Sequence, residues 1–73
     1  MSKNYIVDSI YDFIKRIYKL SVKVTKINST LYKFDLGNLG AFVIKTDAFN
    51  TEADLSAFRL GLSDRLNAVL NIA

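Results

Sequence analysis

Residues 31–46, LYKFDLGNLGAFVIKT, decide the fold of this chain. Apolar and polar residues alternate on both sides of the centre of this stretch, and a period of two predicts two β-strands. The centre, residues 37–40, begins and ends with glycine, which adopts the positive φ of a tight turn without strain. We therefore expect a β-hairpin here, with the rest of the chain covering one of its faces.

Two registers of this hairpin keep the apolar side chains on one face, and cross-strand charge distinguishes them. Pairing Leu36 with Phe42 would set Lys33 opposite Lys45, and like charges in that position destabilise a sheet. Pairing Phe34 with Phe42 stacks two aromatic rings instead and avoids the repulsion. We therefore expect the second register.

A first strand is predicted over residues 20–27, where apolar residues again alternate. A short loop at residues 28–30 would set Val24 opposite Phe34 and Lys23 opposite Asp35, an opposite-charge pair. The face of the sheet that the helices leave open is expected to carry eight side chains: Lys23, Thr25, Ile27, Leu31, Lys33, Asp35, Val43 and Lys45.

The N-terminal segment predicts an amphipathic helix over residues 4–19, with Ser2 or Asn4 as its cap. Its core stripe recurs at three- and four-residue spacing: Ile6, Ile10, Phe13, Ile14 and Ile17. Tyr11 and Tyr18 fall beside the stripe and widen the apolar arc to about half the circumference of the helix. One core face does not need an arc of that width.

A second helix is predicted to begin near residue 52, because Thr51 followed by Asp54 resembles a capping box. Its expected core stripe is Leu55, Phe58, Leu62, Leu66 and Val69. Gly61 lies in the helix interior, and both a close approach by another backbone and chance remain open explanations. The opposite face is nearly uncharged and consists of Ala53, Ala57, Leu60, Asp64 and Ala68.

Together these elements predict a single α+β domain over residues 1–73. The expected order is αβββα, a three-stranded antiparallel meander with two helices packed on one face. The composition agrees with a folded domain, since 51% of the residues are hydrophobic and 23% are charged.

Several chemistries lack the residues they need. The chain has no Cys and no His, which removes thiolate nucleophiles, the usual general base and the commonest metal ligands. Asp8 and Asp12 lie on the expected solvent side of helix 1, and helix capping accounts for Glu52 and Asp54. We expect no enzyme, no cofactor and no metal. Without a long apolar run or a secretory signal, we also expect a soluble, cytoplasmic protein with no membrane partner.

The distribution of charge suggests one candidate surface. Residues 15–33 hold six basic residues and no acid, within a net charge of +3. Five lysines of this run are candidates for contact with nucleic acid or with an acidic protein surface: Lys15, Lys19, Lys23, Lys26 and Lys33. A solvated basic edge without a partner is the simpler alternative. The element order resembles the double-stranded-RNA-binding domain, which grips phosphates with lysines at the start of its last helix. Here that position holds Glu52 and Asp54, which would repel phosphate.

The surplus apolar surface suggests another candidate site. Tyr11 and Tyr18 stand two turns apart on one flank of helix 1, and tyrosine is favoured in protein interfaces. Ala57 and Leu60 lie on the outer face of helix 2. Packing of helix 2 against the tyrosine flank, and a merely tolerated alanine-rich face, are the simpler alternatives. We take these four residues as the predicted partner-binding set.

The size, the αβββα order and the absence of Cys and His resemble the small phage and mobile-element proteins that block host defence, including some anti-CRISPR inhibitors. The resemblance implies a non-enzymatic protein that binds and blocks a host protein or a nucleoprotein complex. Inhibitors that mimic DNA are strongly acidic, whereas this chain is net basic. We therefore predict a protein-interaction module that could also form a homodimer, with a small basic nucleic-acid-binding protein as the alternative.

Overall fold

The elements follow one another in the predicted order, α-β-β-β-α, in a computed structural model that describes residues 1–71. Residues 72 and 73 of the predicted domain lie outside the described residues. Helix α1 spans Lys3–Phe13 and continues as a π-helical turn, Ile14–Tyr18; the strands are β1 (Lys23–Lys26), β2 (Leu31–Asp35) and β3 (Ala41–Lys45); and helix α2 spans Glu52–Leu70. Short 3₁₀ turns occupy Gly37–Leu39 and Thr46–Ala48.

The β2–β3 hairpin has the predicted register. Phe34 pairs with Phe42, and their rings stack with centroids 5.1 Å apart and planes 4° from parallel. Lys33 accordingly lies opposite Val43 rather than opposite another lysine. The two turn glycines take the positive φ expected of them, 67° at residue 37 and 102° at residue 40. Aromatic stacking and charge avoidance thus select the same register.

Strand β1 completes an antiparallel sheet in the order β1-β2-β3, with the predicted pairs Val24–Phe34 and Lys23–Asp35. The strand is shorter than expected, four residues rather than eight. Lys19 ends the helical segment in the left-handed conformation, so the chain turns before Leu20 and only reaches the sheet at residue 23. The predicted open face is confirmed, because its side chains are exposed or half-buried.

Both helices pack on the other face of the sheet and enclose the core. Among residues 1–71, ten apolar side chains are buried there: Ile6, Ile10, Ile14, Phe34, Leu36, Ile44, Phe49, Leu55, Leu62 and Leu66. A ring of half-buried side chains, which includes Val22 and Val24, packs around them. The core therefore joins α1, α2 and the inner face of the hairpin.

The prediction that Ile17 belongs to the core is wrong, since 62% of its surface is exposed. Ser2 caps α1 as expected, accepting a hydrogen bond from the Tyr5 amide at 3.1 Å. After Phe13, however, the helix widens into the π turn. Each residue of a π turn advances less around the axis than in an α-helix, so Ile17 rotates off the core stripe and Tyr18 takes its place.

Helix α2 begins with the predicted capping box. The Thr51 side chain accepts from the Asp54 amide, and the Asp54 carboxylate accepts from the amides of Thr51 (3.0 Å) and Asn50 (2.9 Å). The hydrogen bonds from the two backbone amides stabilise the ionised carboxylate and lower the pKa of Asp54 below its ordinary value. The prediction that Val69 is a core residue is wrong. It is 57% exposed because it lines an open groove beside the β2–β3 turn.

The capping box predicts a pH dependence of stability. Because the pKa of Asp54 is lower in the folded chain, its contribution is fully present above the unfolded pKa of about 4 and is lost as pH falls through the folded value. We expect Asp54→Asn to be less stable than the parent at neutral pH, and the difference to shrink below about pH 4. Urea unfolding at stepped pH measures it. A difference that stays constant down to the lowest pH would contradict this assignment.

Candidate interaction surfaces

Polar contacts join α1 to α2 along one side of each helix. The Tyr5 hydroxyl donates to Glu52 Oε2 at 2.7 Å, and Arg59 Nη1 donates to Ser9 Oγ at 2.6 Å. The early residues of α1 thus meet the early residues of α2, and later residues meet later ones. The two helices therefore run parallel to each other, and this side of α2 is already occupied.

The Tyr5–Glu52 contact also has an electrostatic signature. The hydrogen bond that the Tyr5 hydroxyl donates to the Glu52 carboxylate raises the pKa of Tyr5. Ionisation of the phenol would break this hydrogen bond and place two anions side by side. Glu52 is thereby held at the N-terminus of α2, where the helix dipole favours an acid.

Tyr18, predicted to contact a partner, lies instead in the contact between the helices. Its hydroxyl is 2.6 Å from Ser63 Oγ and donates to Asn67 Oδ1 at 2.8 Å. The ring meets Phe13 edge-to-face with centroids 5.9 Å apart. Both the polar and the apolar parts of Tyr18 are thus engaged within the chain. For Tyr18 the structure therefore shows the simpler alternative: α2 packs on this flank of the first helical segment.

Tyr11 is half-buried and packs against the edge of the core. The ammonium of Lys15 lies over its ring, 5.5 Å from the centroid, one helical turn further along. This is a cation–π contact at the surface, where such a contact contributes about 0.5–1 kcal/mol. Tyr11 at the end of α1 and Lys15 in the π-helical turn therefore form a small local pair, apart from the other predicted site residues.

Ala57 and Leu60 lie together on the outer face of α2, as predicted. Leu60 is 67% exposed and lies in the middle of the helix. The neighbours of the pair on this face are also exposed: Ala53, Asp64 and Ala68. An exposed leucine is ordinary by itself, but here it is surrounded by small apolar side chains and a single charge. This face is a predicted partner surface that the fold leaves free within residues 1–71.

A shallow groove continues from this face along the side of α2 that points away from α1. It has a volume of about 230 Å³ and is lined by Ala57, Phe58, Gly61, Leu62 and Arg65. Apart from its two chain neighbours and the nearby backbone of α2 itself, no described heavy atom lies within 4 Å of the position that a Cβ on Gly61 would take. Close approach by another part of the described chain therefore does not explain this glycine. The groove remains open to another molecule.

The open face of the sheet gathers three lysines on one line. The register pairs Lys23 with Asp35, Lys33 with both Thr25 and Val43, and Lys45 with Leu31. The lysines therefore occupy diagonal positions on adjacent strands, about 7–8 Å from one to the next. Lys45 lies outside the basic run of residues 15–33. The predicted register of the hairpin already placed Lys45 on the open face beside Lys33, so Lys45 could have been predicted as part of this line from the sequence.

The other predicted basic residues do not join this line. Lys15 lies on the π-helical turn that follows α1, in the layer that covers the opposite face of the sheet. Lys19 ends the helical segment, and strand alternation places Lys26 on the helix side of β1, where it remains exposed at the strand end. The structure thus brings together two of the five lysines and separates the other three.

The acidic residues occupy structural positions or open surface. Asp8 and Asp12 are exposed on α1, and Glu52 and Asp54 accept the hydrogen bonds described above. Within residues 1–71, no group of three or more carboxylates is arranged to hold a metal ion. No helix in the same part of the chain combines the length and the apolar character needed to cross a bilayer.

Comparisons with protein-family models, curated proteins and solved structures give no match to this chain. Function is therefore inferred from its own surfaces. Two of them are unoccupied within the described chain: the outer face of α2 with its adjoining groove, and the lysine line on the open sheet.

The inter-helix position of Tyr18 predicts the effect of removing its hydroxyl. Tyr18→Phe leaves Ser63 and Asn67 without their partner, and we expect a loss of about 1 kcal/mol in the free energy of unfolding. Tyr11→Phe is the matched control, because the hydroxyl of Tyr11 has no hydrogen-bond partner among residues 1–71, and it should change stability by less than about 0.5 kcal/mol. Urea denaturation of both variants measures this; equal losses would contradict the assignment.

Proposed function

We propose that this chain is a non-enzymatic protein-interaction module that binds its partner through the outer face of α2. The observation that carries the proposal is the exposure of Leu60 at the centre of a face made mainly of alanine. The opposite side of the helix is buried and its α1 side is filled by polar contacts. Burying a leucine contributes about 1.5–3 kcal/mol, so this residue is the natural anchor of an interface.

Several features support a binding role over catalysis. Imidazole, the commonest general base in proteins, and thiolate, an intrinsically strong nucleophile, are missing from the sequence. The two groups whose pKa is shifted, Tyr5 and Asp54, are exposed and form local hydrogen bonds at the start of the helices rather than lining a cleft. Their shifts accordingly have a structural cause.

The resemblance to anti-CRISPR inhibitors gives this proposal a more specific form. In that form the chain binds a host protein or nucleoprotein complex and blocks it by occupying its surface. Size, element order and the unoccupied face of α2 support it. The basic character of the open sheet favours a target with an acidic or nucleic-acid-bearing surface.

Site-specific photo-crosslinking tests the binding face. A benzophenone amino acid at position 60 should capture one or a few discrete proteins in the native cell, because Leu60 lies at the centre of the proposed interface. The same group at Asp12, which is exposed on α1, serves as the control. Mass spectrometry identifies the adducts, and a nuclease complex among them would support the inhibitor form. Identical adduct patterns from both positions would contradict the proposal.

A second candidate function is favoured by the lysine line on the open sheet. Three cations about 7–8 Å apart suit a polyanion such as single- or double-stranded nucleic acid. No aromatic ring accompanies them, since Phe34 and Phe42 face the helices. Binding of this kind would be electrostatic and insensitive to base sequence.

Fluorescence anisotropy with a labelled oligonucleotide measures this candidate. Three phosphate contacts predict a slope of about −2 to −3 in a plot of log affinity against log salt concentration. Lys33→Glu should weaken binding strongly, because Lys33 is the middle cation of the line, whereas Lys15→Glu should have a small effect. Absence of binding at low salt would remove the candidate.

A further inference from the structure

The strand β3 forms an edge of the sheet whose backbone groups have no partner within residues 1–71. The hydrogen bonds from Thr46 N to Thr30 O and from Leu36 N to Gly40 O, both 2.8 Å, fix the alternation along the hairpin. By that alternation, the N–H and C=O groups of Ala41, Val43 and Lys45 point away from β2. A row of unpaired groups of this kind is a template for a further strand.

The two edges of the sheet differ in how well they are protected. Strand β1 has four residues and a lysine at each end, which discourages pairing with another chain. Strand β3 has five residues, AFVIK, with no proline, no bulge and one lysine at its end. Val43, in the middle, is 53% exposed. The β3 edge is therefore the one suited to pairing.

The groove on α2 lies on the same side of the molecule as this edge. Phe58, which lines the groove, contacts Phe42 of β3 with ring centroids 5.8 Å apart. A second open groove, between α2 and the β2–β3 turn, includes Ala41 and shares Leu62 and Arg65 with the first. The flank of α2 and the edge of β3 thus form one continuous surface.

We propose that the occupant of this surface is a second copy of the chain, related by a two-fold axis beside Val43. Antiparallel pairing of the two β3 strands would let each Val43 exchange hydrogen bonds with its counterpart and would extend the sheet to six strands. Such an interface is isologous, so every group on the surface must be complementary to the same surface turned by 180°. This inference goes beyond the proposed function, because it assigns a second interaction surface that is separate from the Leu60 face and leaves that face free.

The charged residues on the flank of α2 are complementary to their own two-fold copy, as an isologous interface requires. The two-fold axis passes close to Phe58, because Phe58 contacts Phe42, and it makes the two copies of α2 run antiparallel. On a helical projection Asp54 falls on the same flank as Arg65, and residues 59–60 lie midway between them. Each Asp54 would therefore face the Arg65 of the other copy. The lysines do not clash, since Lys45 would pair with Ala41 in the extended sheet.

The helix layer of the proposed dimer is wider than its sheet. Strands are spaced about 4.8 Å apart and packed helices about 8–10 Å apart, so one helix covers about two strands. Six strands therefore lie beneath the width of about three helices, so the four helices of the dimer would overhang the outer edges of the extended sheet. At the junction, Ala57 and Gly61 bring little side-chain volume between the two copies of α2.

Sedimentation velocity over a concentration series tests the proposal. The parent chain should be a dimer at tens of micromolar. Val43→Pro removes the edge donors of both copies without removing a bond to β2, so we expect dimerisation to weaken about thirtyfold or more. Lys26→Pro removes the corresponding outward N–H of the β1 edge and should leave the dimer intact. A monomeric parent at these concentrations would overturn the proposal.

A second pair of variants avoids the strain of proline. Val43→Lys and Thr25→Lys each place a new lysine next to Lys33 with the same change of charge. Only Val43→Lys sets like charges opposite each other across the two-fold axis, and only it should weaken the dimer. Circular dichroism confirms folding. Equal effects of the two variants would overturn the proposal.

The position of Leu60 separates this proposal from the broader one. On a helical projection Leu60 lies about 100° away from Gly61, toward the α1 side, so it remains exposed in the proposed dimer. Loss of the dimer in Leu60→Glu, with retention in Val43→Pro, would overturn the edge-paired arrangement. Photo-crosslinking from position 60 to a different protein tests the binding face proposed in the preceding subsection. Failure of that experiment would leave the dimer measured by sedimentation unaffected.

Discussion

The stacking of Phe34 on Phe42 is the contact on which the rest of this structure depends. Pairing these residues fixes the register of the hairpin, and the register decides which side chains face the helices. A shift of one residue would exchange the two faces of a strand. The same contact therefore buries Ile44 beneath the helices and leaves Lys33 and Val43 on the open face. Core, open face and free edge all follow from it.

A three-stranded sheet is too narrow to cover all the apolar surface of two helices. Side chains near the sheet are buried, but the part of α2 that points away from both the sheet and α1 has nothing to pack against among residues 1–71. A chain of this length buries only about 60% of the surface of its unfolded state. Surface of this kind is where association with another macromolecule adds most free energy, which connects the architecture to the proposed function.

Much of the fold could be predicted because several local rules favour the same structure. In the hairpin, the alternation of apolar residues, the charges and the aromatic stacking all favour one register. At the start of α2, Thr51 and Asp54 form the capping box that their spacing predicts. Ile17 and Val69 could not be placed correctly by a uniform helical period. The first follows a π turn, and the second lies beside a hairpin turn that does not reach it. Of the predicted partner residues, Ala57 and Leu60 are exposed to solvent, whereas Tyr18 packs and hydrogen-bonds against α2. Sequence spacing shows that a flank is apolar, but not which neighbour covers it.

The central claim is that the folded protomer leaves a specific set of apolar side chains in water. Solvent paramagnetic relaxation of methyl groups, measured by NMR on dilute protein with a soluble gadolinium chelate, tests it most directly. The methyl groups of Leu60, Ile17 and Val43 should relax strongly, and those of Ile10 and Leu55 should be almost unaffected, since both are fully buried. If the methyl groups of Leu60 were as well protected as those of Leu55, the surplus surface on α2 would not exist and the proposal that α2 binds a partner through Leu60 would lose its basis.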